Sequence, residues 1–139
     1  MKLILMIDEK SGMAFNKRRL TRDIVQREFL NRLLAGKTLW MSPYSAKLFL
    51  PDLPSAEVKV DSAFLSLAEE EDYVLLELDP VPENTEEISE ILLFNWNRSY
   101  PADLVFFLPK GFVLTEEKEF KGSSHDRITM EVYRKDEKV

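Results

Sequence analysis

Lys2–Ile7 is a continuous apolar run cut off by Asp8 and Glu9. Six residues are too few for a helix, and a strand without polar alternation is one buried on both faces. Such a strand obliges the chain to build a sheet covered by further layers, so this run narrows the fold class before any other feature is read. It is also too short for a signal-peptide core or a membrane span, which predicts a cytoplasmic protein with no membrane partner.

The segments that follow alternate strand with helix. Gly12 is the residue after Asp8 and Glu9 that takes positive φ cheaply. Thr21 is placed to cap a helix, with Asp23 in the first turn, where the helix dipole favours a carboxylate. Ile24, Val25, Phe29, Leu30, Leu33 and Leu34 then recur at helical spacing as far as Gly36. Thr38–Met41 is a second strand, and Ser42-Pro43 reads as N-cap and first-turn proline of a helix through Phe49. Pro51 and Pro54 break the chain, Glu57–Val60 is a strand, and Asp61 caps a helix over Ala63–Ala68. Tyr73–Leu78 is a strand stopped by Asp79-Pro80, and Asn84 with Glu87 reads as the capping box of one short helix. Ile91–Asn97, Asp103–Leu108, Phe112–Thr115 and Arg127–Tyr133 are strands, with Pro109-Lys110-Gly111 turning between the second and third. At 139 residues this is a single α/β domain spanning 1–139. Its sheet is mainly parallel with an antiparallel C-terminal edge, flanked by three to four helices.

Composition removes several chemistries. There is no cysteine, which excludes disulfides, thiolate catalysis and cysteine metal sites, and the single histidine, His125, excludes a multi-histidine centre. A net charge of −6 and a pI near 4.9 argue against affinity for nucleic acid. Against that acidic background Lys17, Arg18, Arg19 and Arg22 stand together beside Asn16 and the helix entry. Guanidinium forks fit carboxylate and phosphate bidentately, so this stretch either clamps a small anionic ligand or is a solvated loop that balances nearby acids.

Asp23 is a candidate general acid or base if burial raises its pKa; the plainer role is a helix-start carboxylate paired with Arg19 or Arg22. Ser42, Tyr44 and Ser45 lie at a predicted helix N-terminus, which either binds an anion or is simply capped by Ser42. Asn95, Asn97 and Arg98 end a strand and can wall the same cleft, with Trp96 between them suited to the core. His125, entering a strand, reads as structural. Glu77 and Asp79 share a strand face, but two carboxylates alone do not make a cation site, so the pair reads as a solvated strand end.

The order of these elements and a few landmarks resemble a shortened dihydrofolate reductase over nearly the whole chain. Gly12-Met13, Asn16 and Asp23 fall in the arrangement of that family's glycine-containing loop and catalytic acid. Thr38–Met41 with its capped helix looks like the second strand and cofactor-phosphate helix. Glu119-Phe120, through Ser123-Ser124-His125, to Ile128–Tyr133 resembles the last strand pair. The resemblance implies the family's fold, NADPH as cofactor, and Asp23 as the proton donor of a reductase. Several residues depart from it. Lys17-Arg18-Arg19 stands where the family has Leu-Pro-Trp, and Arg27 where it places an aromatic against the pterin. Ser42-Pro43 replaces Gly-Arg, and Glu77-Leu78-Asp79-Pro80 replaces the paired glycines that admit the dinucleotide. Two carboxylates repel phosphate and proline offers it no N–H, which disfavours NADPH in the family's manner and leaves the cofactor unknown. Short bacterial chains with a similar opening carry the label ribonuclease Z, whose zinc chemistry one histidine does not support.

The leading expectation is a diverged member that binds a small anionic or nucleotide-like ligand beside residues 12–23. Its ligand-binding residues are Asn16, Arg18, Arg19, Arg27, Ser42, Tyr44, Ser45, Asn95 and Asn97. The alternatives are an NAD(P)H-dependent reductase using Asp23, and a non-enzymatic interaction domain whose basic loop meets an acidic partner or a second copy.

Overall fold

The computed structural model describes residues 1–136. The apolar run is strand β1 (Lys2–Ile7), fourth in a seven-stranded sheet. On one side of it lie β6 (Tyr73–Leu75), β4 (Thr38–Met41) and the edge strand β5 (Glu57–Val60). On the other lie β7 (Glu90–Asn95), β10 (Ile128–Lys135) and the edge strand β9 (Phe112–Phe120). The five strands from β5 to β7 are parallel, and β10 and β9 add an antiparallel edge.

Because successive side chains of a strand point to opposite faces, β1 feeds two cores. Ile4 and Met6 pack with Leu30 of α1 (Ile24–Leu33), Phe49 of α2 (Pro43–Phe49) and Phe94. Phe29 of α1 stacks on Phe120 at 4.6 Å, fastening that helix to the antiparallel edge. Leu3, Leu5 and Ile7 pack on the other face with Phe64 of α3 (Phe64–Leu67), Met13, Ile88 and Phe106. No helix of the described residues is long and apolar enough to cross a membrane.

A second, three-stranded sheet forms beside β1 from β3 (Arg18–Arg19), β2 (Gly12–Phe15) and β8 (Leu104–Val105). The basic stretch is therefore part of a hairpin, not an open loop. Asn16 and Lys17, at φ 51° and 59°, form its two-residue turn, the left-handed geometry whose twist suits a tight hairpin. Gly12 does not supply the positive φ expected of it; Ser11 does, at 66°. Glycine is needed at position 12 for space, since a Cβ there would stand 2.6 Å from the Cβ of Ala102 and 3.1 Å from Asp8 Oδ1.

Other elements shift for identifiable reasons. Asp23, not Thr21, caps α1, accepting from the N–H groups of Val25 and Gln26. That start turns Gln26, Arg27 and Leu30 inward and leaves Ile24 47% exposed. Asp61 accepts from Ala63 N in a turn, and α3 is a single turn without a side-chain cap. Asn84 closes a turn on Glu86 N in place of the expected helix, the local bond that competes with helix entry. β6 ends at Leu75, and β7 ends at Asn95 ahead of Asn97, which is held at φ 56°. β8 shrinks to two residues and pairs with β2, so Pro109–Gly111 does not link a hairpin; β9 runs on to Phe120 and pairs with β10.

If α1 is rotated in this way, Leu30→Ala costs about 2–5 kcal/mol, the range for a buried leucine, and Ile24→Ala about 0.5 kcal/mol, that of a surface change. Urea denaturation of the two variants measures the difference.

Candidate functional site

Asp23 sits where the start of α1 meets the turn between β9 and β10. Its Oδ1 accepts from Val25 N at 2.9 Å, Gln26 N at 3.2 Å and Ser123 N at 3.0 Å. Its Oδ2 accepts from Ser124 N at 2.8 Å and lies 3.0 Å from His125 Nδ1. The Ser123 and Ser124 hydroxyls lie at 3.2 and 3.1 Å. Gly122 makes the approach feasible, because a Cβ there would overlap the Asp23 carboxylate and Ile128 Cδ1. The Asp23 and His125 side chains are 0% and 1% exposed. Burial opposes the charge, but the Ser123 N–H, the His125 ring and the Ser124 and Gln26 N–H groups hold the Asp23 carboxyl far below the usual carboxylate range. Its partner is His125, not Arg19 or Arg22.

The His125 ring stacks on Trp96 at 4.6 Å, and its Nε2 lies 3.0 Å from the Tyr100 hydroxyl. Asp23, His125 and Tyr100 thus form one hydrogen-bonded chain. Tyr100 is anchored by its own N–H, which donates to Asp8 Oδ2 at 2.9 Å, while Asp8 Oδ1 accepts from Lys10 N and Gly12 N. Buried Asp8 therefore ties the Tyr100 segment to the end of β1 and the start of β2.

Tyr100 lines a cleft of about 300 Å³ together with Phe15, Asn16, Arg18, Arg19, Leu20 and Pro101. Arg18 is exposed and forms no ion pair among the described residues. Two larger concavities of about 590 Å³ lie near Met1 and Glu87. The first is walled by Glu69, Glu70, Glu86 and Glu87, against the cations of Lys135 and the Met1 α-ammonium, an acidic balance that makes a poor setting for an anion. The smaller cleft is where cationic, amide and hydroxyl groups converge.

The other expected site residues are engaged within the chain. Arg19 forks onto Glu77, with Nε to Oε2 and Nη2 to Oε1 both at 3.0 Å. Its guanidinium lies 4.5 Å over the Tyr44 ring, and its backbone N–H donates to the Tyr44 hydroxyl. Burial works against the Arg19 charge, yet the Glu77 carboxylate outweighs it and raises the pKa. Ser45 Oγ donates to Glu77 Oε1 at 2.8 Å, and Ser42 caps α2 through Ser45 N. The anion beside the start of α2 is the chain's own Glu77; Asp79 is exposed. Arg27 Nε donates to Asp52 Oδ2 at 2.7 Å, while Arg27 Nη1 and Gln26 Nε2 are buried without a partner. Asn95 accepts from Asn97 N, and Asn97 donates to Arg127 O and Thr129 Oγ1, closing the end of β7 against β10. Neither asparagine lines the cleft. Trp96 is core.

No local pattern singles out Tyr100. Gly122-Ser123-Ser124-His125 offered a signal in a chain of only four glycines: a compact turn of small donors beside one imidazole.

The solved dihydrofolate reductase from Enterococcus faecalis, complexed with NADP(H) and RAB-propyl, is similar in structure. It matches with a TM-score of 0.66 over 98% of this chain and 96% of that one, at 10% sequence identity. The architecture is thus a dihydrofolate reductase-like α/β fold. No family model matches the chain, and no curated protein matches it in sequence.

Removing the carboxylate leaves the buried N–H donors of Val25, Gln26, Ser123 and Ser124 without an acceptor, and each unsatisfied donor costs about 1–3 kcal/mol, so Asp23→Ala is strongly destabilising. A depressed folded-state pKa gives stability that is complete above the unfolded carboxylate value near 4 and is lost as pH falls below it. Stability measured from neutral pH to about pH 2.5 therefore declines more steeply for the wild type than for Asp23→Asn.

Proposed function

We propose that this dihydrofolate reductase-like chain is a non-reductase binding domain. Its cleft beside the β2–β3 hairpin takes the phosphate or carboxylate group of a small metabolite or nucleotide. The observation that carries this reading is Arg18, a guanidinium with no internal partner among the described residues, opening on the same cleft as Asn16 and Tyr100. Its neighbour Arg19 forms the cleft's inner wall and is already neutralised by Glu77. About 300 Å³ is the lower end of the range for small-molecule pockets, which suits a phosphate or single nucleotide better than a dinucleotide.

Three features count against a nicotinamide reductase. The Asp23 carboxyl, surrounded by donors and held ionised, has no proton to give at neutral pH. Glu77 brings a buried carboxylate to the start of α2, where the resemblance places cofactor phosphate. The Arg27–Asp52 pair joins α1 to the turn at Leu50–Asp52, where the resemblance expects an aromatic facing the pterin. The NADP(H) of the Enterococcus faecalis enzyme belongs to that protein.

Thermal shift with inorganic phosphate, AMP and NADPH tests the reading. Phosphate or AMP raises the melting temperature of the wild type, by the equivalent of about 2.7 kcal/mol at a hundredfold excess over Kd. Arg18→Ala loses most of that shift at equal ligand. A shift with NADPH alone, together with turnover abolished by Asp23→Asn, would reinstate the reductase.

A further inference from the structure

The Asp23–His125–Tyr100 chain ends at a residue that lines the cleft, and it is not needed merely to cap α1. An ionised carboxylate only accepts, so the first ring proton of His125 sits on Nδ1, facing Asp23. With that proton alone, Nε2 accepts from the Tyr100 hydroxyl, and the phenol has no hydrogen left for an anion. A second ring proton, on Nε2, reverses the bond. The ring then donates to the phenol oxygen, and the Tyr100 hydrogen is free to turn toward a ligand.

The surrounding charges favour this exchange once an anion arrives. Asp23, from the start of α1, faces the ring at 3.0 Å and balances an imidazolium. Ser123 and Ser124, from the β9–β10 turn, and Trp96, after β7, bring no charge. Arg18 and Arg19, on β3, line the cleft that Tyr100 borders and oppose a further positive charge. Glu77 offsets Arg19, and Asp8 is occupied by backbone donors, including the N–H of Tyr100. Of the two arginines that line the cleft, Arg18 is the one with no ion pair among the described residues, and a bound oxyanion cancels its charge.

We propose that oxyanion binding in the cleft is coupled to uptake of one proton by His125, so that Tyr100 donates a hydrogen bond to the bound group. The inference rests on the ligand reading above and adds what that reading lacks, a proton-linked affinity. The balance is simple: one proton passes from solvent to Nε2, the Tyr100 hydrogen moves from Nε2 to the ligand oxygen, and no covalent bond to carbon changes. Tyr100 is the contacting group; His125 and Asp23 are positioning residues that act through it. A free phosphate and the phosphate end of a nucleotide present the same oxygens, and competition by AMP against phosphate separates the two.

Sulfate is the probe for the proton, because it stays dianionic across neutral pH and any proton taken up belongs to the protein. Isothermal titration of the wild type near pH 7.5, in two buffers of different ionisation enthalpy, counts that proton. His125 is the single histidine, so its ring ¹⁵N signals need no assignment. The expected result is uptake approaching one proton per sulfate, with affinity falling up to about tenfold per pH unit as pH rises. The ring signals move to the imidazolium pattern on saturation, a change a purely structural histidine does not make. His125→Gln and Tyr100→Phe bind sulfate more weakly and without proton uptake. Sulfate binding with no uptake and an unmoved ring overturns the coupling and leaves the cleft as an anion site. Uptake that persists in His125→Gln also overturns it. Absence of sulfate binding overturns both, and the wild-type measurements stand whether or not the variants fold.

Discussion

The structure depends on one buried carboxylate. Asp23 is 100 residues or more from Ser123, Ser124 and His125, yet it is where the first helix and the last strand pair are joined. Burying a charge costs several kcal/mol unless its lone pairs are filled, and here they are filled by donors from both elements. Several features follow from this joint. The helix starts at Ile24, its inward face is set by that start, and Gly122 must lack a side chain so that the turn can close on the oxygens. The same contact orients the His125 ring, and through it the Tyr100 hydroxyl.

Two internal ion pairs, Arg19–Glu77 and Arg27–Asp52, occupy positions where the resemblance expects ligand. Buried pairs of this kind add little net stability over apolar packing, but losing one partner is expensive. With Glu77 beside Arg19 and Ser45, the start of α2 already holds an anion of the chain's own. Fold and chemistry separate for this reason. Sheet order and core are held by apolar side chains, separate from these charged pairs.

Much of the fold was legible because its signals are local. β1, β4, β5 and α2 begin and end where an apolar run, a serine cap or a proline puts them. The misplaced elements are those whose boundary is decided at a distance. Thr21 looks as good a cap as Asp23 until the β9–β10 turn supplies donors to Asp23. Asp61 and Asn84 carry capping side chains, but each closes a turn first. β8 pairs with β2, about ninety positions away in the chain, so its turn residues say nothing about its partner. The basic stretch was visible as charge, but which of its cations is free was not. That depends on Glu77, which lies far along the sequence and read there as a solvated strand end.

Arg18 and Arg19 show the limit in its smallest form. They are adjacent on a two-residue strand, and successive strand residues face opposite sides. One therefore turns in to meet Glu77 and the other is left to solvent. Slipping the hairpin by one residue would exchange their places and put Lys17 in the strand. The Asn16-Lys17 turn opposes this, because both its residues sit at positive φ, and asparagine tolerates that conformation better than most. Asn16 thus matters through its backbone, in a way that its side-chain chemistry does not suggest. By fixing the register it decides which of the two arginines is neutralised by Glu77 and which keeps its charge.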